Sequence, residues 1–262
     1  SYDRIGQAIG GMIYVTGEAD QPPVHPGYMM GDFASGTYGA LAILAAVYHR
    51  DHEDCQETQV VDLSLYESIL SYSGPMAAEY SRSGIVRERA GNVRSWSIPG
   101  DQFLTKDGKW VLILALNPQI FQRLCDAMKI PDLPLDPKFD NHENRFANEK
   151  ELHGMIREWV SEFDSKELYD LLDEFRVPYG PVYSIADIFA DPHIAERQDL
   201  VQIDDPHVGP VTVPAPYPRL SHAAGRIYNP APGVGDDNDE IYGQLLGMSE
   251  QERDQLAEAG II

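Results

Sequence analysis

The segment Thr37–Arg50, TYGALAILAAVYHR, is apolar nearly all round a helical wheel, and no other stretch limits the fold so much. A helix without a polar face needs cover on every side, from other elements or from lipid. Its unbroken apolar run, Ala40–Tyr48, is well short of the roughly 18 residues a bilayer span needs. The expected cover is therefore protein, and the helix is expected to be buried. With 262 residues there is length for one large domain or two smaller ones.

The rest of the chain alternates strand-like and helix-like stretches. QVVDLSLYESILSYS (59–73) starts like a strand and becomes a second helix. Residues 74–100 mix Gly, Ser, Pro and charge without a clear period and read as a linker. In DQFLTKDGKWVLILAL (101–116), Asp107-Gly108 supplies a positive-φ turn between two β-rich arms, the signature of a hairpin. NPQIFQRLCDAMK (117–129) then sets Ile120, Leu124 and Met128 at helical spacing, with Pro118 suited to a first turn. NEKELHGMIREWVSEF (148–163) aligns Leu152, Ile156, Trp159 and Val160 on one face, and Ser165 is the expected N-cap of a helix whose apolar stripe runs from Leu168 to Phe175. VPYGPVYSIADIFADPHI holds a short helix, LVQIDDPHVGPVTVPAP reads as a second hairpin, and two short helices close the chain, with Ser249 as a cap and Gly260 near a stop. The class is α/β or α+β, with a small β-plus-helix module in the middle. The text begins at Ser1 directly with element material, SYDRIGQAIGGMIYVTG, so the chain is expected to start within a larger fold.

Composition excludes several functions. There are 42 acidic and 20 basic residues, a formal charge of −22, and only 6 of the bases are lysines. A nucleic-acid binder carries the opposite sign on one face, so no nucleic acid is expected as a partner. The acids are spread along the chain and coat a folded surface. Their mutual repulsion is screened at molar salt, where the Debye length is about 3 Å, which points to a halophilic source. Cys55 and Cys125 have no CxxC spacing and fit free thiols in a reducing compartment. Nothing at the start has the basic-then-apolar form of a secretory signal. The expected location is the cytoplasm.

Few motifs carry chemistry. No Walker sequence, GxSxG or HExxH occurs, and GVGDDN lacks the strand and the third glycine of a dinucleotide fingerprint. His49 and His52, beside Asp51, Glu53 and Asp54, fit a solvated helix end better than a metal site. No metal is expected. What remains is MMGDFASG. Asp32 can be a residue that starts a helix, or a nucleophile on a glycine-flanked turn. Ser35 and Thr37 are better placed to cap a helix from Thr37, which frees Asp32 of that job. A carboxylate near a helix N-terminus stays ionised and can attack an activated acyl group.

YDRIGQAIGGMIYVTGEADQPP, GDFASGTYGALAILAAVYHR and QVVDLSLYES resemble the middle of the class III (CaiB/BaiF, formyl-CoA transferase-like) CoA-transferase family. The likeness continues through FLTKDGKWVLILALNPQIFQRLC, VPYGPVYSIADIFADPHIAERQ and the closing GDDNDEIYGQLLGM and LAEAGII, in the family's order and over nearly the whole chain. It implies an α/β fold: the remainder of a Rossmann-like large domain (1–75), a linker (76–100), a small α+β domain (101–190), and a return linker with C-terminal helices packing on the large domain (191–262). It also implies an interlocked homodimer. The family's catalytic aspartate falls on Asp32. The resemblance implies that this carboxylate forms a mixed anhydride with the donor acyl group, then an aspartyl-CoA thioester, before CoA passes to an acceptor acid. Accessible backbone amides around Gly31 are expected to meet the oxyanion. Tyr2, Gln7, Gly10, Gly11 and Asn117 are further candidates for the substrate pocket. Coenzyme A is then a substrate, with short dicarboxylic or hydroxy acids such as succinate as its partners, and no tightly bound cofactor is expected. The family's CoA-binding residues belong mostly to an N-terminal stretch that this sequence does not contain.

Two rival readings share the fold. Racemases of 2-methylacyl-CoA keep the Gly-Asp but pair it with a His-Asp dipeptide and a glutamate, where this chain has Tyr2-Asp3 and Asn117. A tyrosine with a pKa of about 10 and an amide are poor exchangeable bases, which favours the transferase. A non-catalytic partner subunit is the other alternative. The sequence also departs from the family: CQETQ replaces the usual Thr-Gly-x-Gly-Gln turn, and the glycine-run loop of formyl-CoA transferase has no clear counterpart, with ERAGNVRSWSIPG in its place.

Overall fold

The computed structural model describes residues 2–52, 57–93, 97–228 and 231–262. Glu53, Asp54 and Cys55, read above as a solvated helix end and a free thiol, lie outside the described residues. The chain divides into two compact units, Ser1–Val182 and Tyr183–Ile262.

The first unit opens with helices α1 (Asp3–Ile9), α2 (Met30–His52), α3 (Leu65–Ser71) and α4 (Pro75–Ser83). The first three pack on one another. Small residues make this possible: a Cβ on Gly10 would stand 2.6 Å from Ile69. A buried hydrogen bond from Ser35 Oγ to Ser68 Oγ (3.0 Å) pins α2 to α3. Three expectations need correction. Helix α2 starts at Met30 rather than Thr37, because its cap comes from a distant residue. Residues 59–64 form no strand; a strand-like sequence needs a neighbour to pair with, and the described residues beside it are helical. Helix α2 is also not buried here. Its buried residues are Gly31, Ala34 and Ser35, while Leu41, Ile43, Leu44 and Tyr48 are 59, 58, 66 and 63% exposed. Neighbours α1 and α3 cover one side near its start and leave the rest open. An 18-residue window of this 23-residue helix has a mean hydropathy of 1.2, so α2 is the one helix among the described residues that could cross a membrane by length and composition, although its unbroken apolar run is only residues 40–48. Part of the expected linker is helical as well: Pro75 opens α4 and Gly84, at φ 70°, closes it. Beyond it the chain ties back to residues 14–18, where Tyr14 Oη donates to Glu88 (2.8 Å) and Gly91 N–H donates to the Gly17 carbonyl (2.9 Å).

The same unit holds a complete α+β module. Strands β1 (Gly100–Leu104), β2 (Trp110–Leu114) and β3 (Tyr179–Pro181) form an antiparallel sheet in that order. The expected Asp107-Gly108 turn joins β1 to β2, with Gly108 at φ 77° and Phe103 opposite Val111. Helices α5 (Pro118–Ala127), α6 (His142–Ala147), α7 (Glu149–Val160) and α8 (Ser165–Glu174) follow. Helical spacing brings Phe121, Leu124 and Cys125 from α5, Leu152, Ile156 and Val160 from α7, and Leu168 and Leu172 from α8 against Phe103, Val111 and Ile113 of the sheet. Burial pushes the Cys125 thiol up to about 12, so it stays protonated and packs as a small apolar residue. The N-cap of α8 is Asp164, not Ser165. Ser165 instead donates its N–H (3.0 Å) and hydroxyl (2.7 Å) to the Asp107 carboxylate, joining the helix start to the hairpin turn.

In the second unit, α9 (Ile185–Ala190) and α10 (Pro192–Arg197) precede the expected hairpin of β4 (Leu200–Asp205) and β5 (Gly209–Pro214). A π-helical stretch, Asp239–Leu245, and α11 (Glu250–Glu258) end the chain, with Ser249 capping α11 as expected and Gly260 at φ 66°.

Candidate active site

The first amides of a helix lack intrahelical partners and must find them elsewhere. At α2, Met30 N–H donates to the Tyr28 carbonyl (2.9 Å) and Phe33 N–H to the Met29 carbonyl (3.1 Å). Between them, Gly31 N–H (2.7 Å) and Asp32 N–H (3.3 Å) both donate to Asp3 Oδ1. The cap of α2 is thus the carboxylate of the first residue of α1. Its other oxygen, Oδ2, accepts from Gln7 Nε2 at 2.6 Å, one helical turn further on. Gln7 is fully buried and also donates to the Tyr28 carbonyl (3.2 Å). Its own Oε1 is buried without a partner among the described residues. Gly31 leaves the room this needs, since a Cβ there would lie 3.0 Å from Asp3 Oδ1 and 3.1 Å from the Asp3 carbonyl.

This arrangement corrects two expectations. Ser35 and Thr37 do not cap the helix; they lie inside it, and Thr37 Oγ1 donates back to the Phe33 carbonyl (2.9 Å). The amides at Gly31 and Asp32 are not open to an oxyanion, because Asp3 occupies them. Asp32 itself sits in the first turn of α2 with its side chain exposed, on backbone held by the brace and near the positive end of the helix dipole.

The other expected residues are placed as follows. Tyr2 is the N-cap residue of α1 and 81% exposed. Gly10 and Gly11 follow α1 and line a cavity of about 280 Å³ with Tyr14, Leu70, Met76 and Tyr80. Asn117 belongs to the α+β module and caps α5, its Oδ1 accepting from Ile120 N–H at 2.8 Å. A larger cavity, about 410 Å³, lies between α2 and residues 61–71 and is lined by Tyr38, Leu41, Ala45, Val61 and Leu63. Asp32 lines neither. His52 stacks on Tyr48 (ring centres 3.9 Å apart), and among the described residues no group of three or more His, Cys, Asp or Glu could hold a metal ion. The residue that sequence reasoning passed over is Asp3. It stands beside Tyr2 in the dipeptide compared with racemases, but nothing local announces a cap for a helix starting at residue 30.

Comparison with known proteins gives this architecture its class. A CaiB/BaiF family protein from Brucella suis superposes with a TM-score of 0.79 at 27% identity, over 94% of this chain and 63% of that one. The chain belongs to CoA-transferase family III, whose profile matches residues 1–238. It is 34% identical over 261 residues to the succinyl-CoA–D-citramalate CoA-transferase of Chloroflexus aurantiacus, covering all of this chain and 64% of that protein. It is 40% identical over 206 residues to the succinyl-CoA:mesaconate CoA-transferase of Haloarcula marismortui, covering 79% of this chain and 50% of that protein. The chain therefore matches between half and just under two thirds of the length of these proteins.

Proposed function

We propose that this protein is a CoA-transferase that moves CoA from an acyl-CoA donor, succinyl-CoA foremost, to a small dicarboxylic or hydroxy acid, with Asp32 as the nucleophile. The observation that carries the reading is the Gly31-Asp32 pair at the braced first turn of α2, in a chain of a family whose relatives here are named for succinyl-CoA and a carboxylic acid partner.

The chemistry balances without a cofactor. The Asp32 carboxylate attacks the thioester carbonyl, the C–S bond breaks, and CoA leaves as a thiolate, giving a mixed anhydride. The thiolate then attacks the Asp32 carbonyl of that anhydride and releases the donor acid, leaving an aspartyl-CoA thioester. The acceptor carboxylate attacks this thioester and expels the thiolate again. Attack of the thiolate on the acceptor carbonyl yields the new acyl-CoA and free Asp32. A carboxylate suits both roles, as nucleophile and, once acylated, as electrophile. Since the Gly31 and Asp32 amides are engaged, the developing oxyanion is stabilised by other donors, for which Tyr2 is a candidate. Gly10 and Gly11 are proposed as part of a substrate-pocket wall, Gln7 acts behind the site through Asp3, and Asn117 acts through the cap it gives α5.

The assembly proposed is an interlocked homodimer in the cytoplasm, which would cover the open faces of α2. The charge of −22 and the likeness to a Haloarcula enzyme support a halophilic setting.

The test is turnover of succinyl-CoA with candidate acids and, separately, of a 2-methylacyl-CoA, both in deuterated buffer. The transferase reading expects acyl exchange dependent on both substrates, no deuterium at the α-carbon, and loss of activity in Asp32→Asn. Deuterium at the α-carbon without CoA exchange would establish the racemase instead. Unchanged activity of the full assembly with Asp32→Ala would remove Asp32 as the nucleophile and favour the non-catalytic subunit.

A further inference from the structure

We infer that Asp3 is the positioning residue for Asp32: its carboxylate, braced by Gln7, fixes the backbone on which the nucleophile stands. The inference rests on the reading of Asp32 as nucleophile and adds to it a residue that makes no contact with substrate.

The geometry is unusual for a helix cap. A typical cap is the residue just before the helix and satisfies one or two amides with a side chain free to rotate. Asp3 is 28 residues away from Gly31 in sequence. One of its oxygens takes the amides of both Gly31 and Asp32, and the other is held by the buried Gln7 amide. Asp3 is only partly exposed, and its backbone carbonyl lies close against Gly31. The nucleophile's own N–H is therefore tied to a second helix, so α2 cannot rotate or fray at its first turn without breaking contacts to α1. Nucleophilic attack needs the reacting atoms at near-contact distance and aligned, and a small displacement costs rate while leaving binding groups elsewhere intact. An asparagine at position 3 keeps one oxygen as an acceptor for both backbone N–H groups but turns its Nδ2 toward Gln7 Nε2, so the brace is kept only with the Gln7 amide turned to present its Oε1. The essential property of Asp3 is then acceptor geometry, not charge.

The experiment measures the rate of Asp32 acylation in the assembled enzyme. Succinyl-CoA is mixed with enzyme in a quench-flow apparatus, hydroxylamine traps the acylated carboxylate, and the peptide containing Asp32 is quantified by mass spectrometry. Asp3→Ala is expected to slow adduct formation about 10²-fold, with KM for succinyl-CoA within about threefold and the circular dichroism spectrum unchanged. Asp3→Asn is expected to recover most of that loss. Gly31→Ala, whose Cβ would stand 3.0 Å from Asp3 Oδ1 and push it by a few tenths of an ångström, is expected to slow acylation in the same direction, and the Gly31→Ala/Asp3→Ala pair to be no slower than the worse single variant. If Asp3→Ala unfolds, Asp3→Asn and Gly31→Ala supply the test alone. Adduct formation at the unaltered rate in a folded Asp3→Ala or Gly31→Ala variant overturns the inference and leaves the nucleophile in place. A folded Asp3→Asn as slow as Asp3→Ala overturns the assignment of acceptor geometry rather than charge to Asp3. No adduct on Asp32 in the unaltered enzyme removes the reading of Asp32 and this inference with it.

Discussion

Two parts of the first unit differ in how far they are finished. The module from β1 to β3 encloses its own core: Leu124, Leu152, Ile156, Leu168 and Leu172 are all 0% exposed. The cluster of α1, α2 and α3 buries its crossing points, Ile69 and Ala34 among them, yet leaves the long apolar helix α2 largely open. Both parts are rich in apolar residues. The difference lies in their arrangement. In the module, α5, α7 and α8 are amphipathic and turn their apolar stripes to one core. In α2, apolar residues point every way, and two short helices cannot cover them. An apolar surface of this extent is of the kind that other protein covers; the assembly proposed above would supply that cover to the cluster, while the module encloses its own core.

The contrast can be broken most forcefully by truncating one leucine in each part. Leu168→Ala is expected to destabilise the module by about 2–5 kcal/mol, the usual cost of emptying a packed site. Leu44→Ala on α2 is expected to change the stability of the isolated chain by no more than about 0.5 kcal/mol. Urea titration of both variants measures this; equal costs would mean that α2 is covered after all.

A smaller effect is expected at the hairpin turn. Removing the Asp107 carboxylate takes away its bonds to Ser165 and should cost the module about 1 kcal/mol. Hydrogen bonds from Thr105 and Ser165 hold the Asp107 carboxyl below its ordinary range. A folded-state value below the unfolded one means that this contribution is present above about pH 4 and is lost as pH falls through the folded value. The acid limb of an unfolding curve should therefore flatten in Asp107→Ala.

The smallest effect belongs to His153. Burial holds this imidazole below its ordinary value, against the opposing pull of Asp101 and Glu149 and assisted by Arg157, with the Phe103 ring edge-on to it. The folded state thus takes up its proton less readily than the unfolded chain. Stability from the neutral form is full above about pH 6.5 and declines as pH falls from there toward the folded value. Thermal melts between pH 7.5 and 5.5 should show that decline in the unaltered chain and less of it in His153→Gln.

The same contrast explains what could be read from sequence. Both hairpins, α5, α7 and the Ser249 cap were legible because their signals are local: Asp107-Gly108 for a turn, Leu152, Ile156 and Val160 for a stripe. The cap of α8 lies one residue before the expected Ser165: Asp164 and Ser165 are both capping types, and it is the capping box of Asp164 with Glu167 that tells them apart. The start of α2 was missed because its cap is an aspartate in another helix. The burial of α2 was expected from composition, which states how much cover a helix needs but not whether two short neighbours can supply it. At the site, Asp32 and Gly31 stood out by residue type. Asp3 and its link to Gln7 exist only once α1 is laid across the start of α2.

The reading of Asp32 is tested most directly by identifying the modified residue. The assembled enzyme is incubated with succinyl-CoA and hydroxylamine, digested, and sequenced by mass spectrometry. A hydroxamate on Asp32 that is absent without succinyl-CoA, and absent when free CoA replaces it, is the expected result. Catalytic turnover with Asp32 unmodified, or with the hydroxamate on another carboxylate, would contradict it.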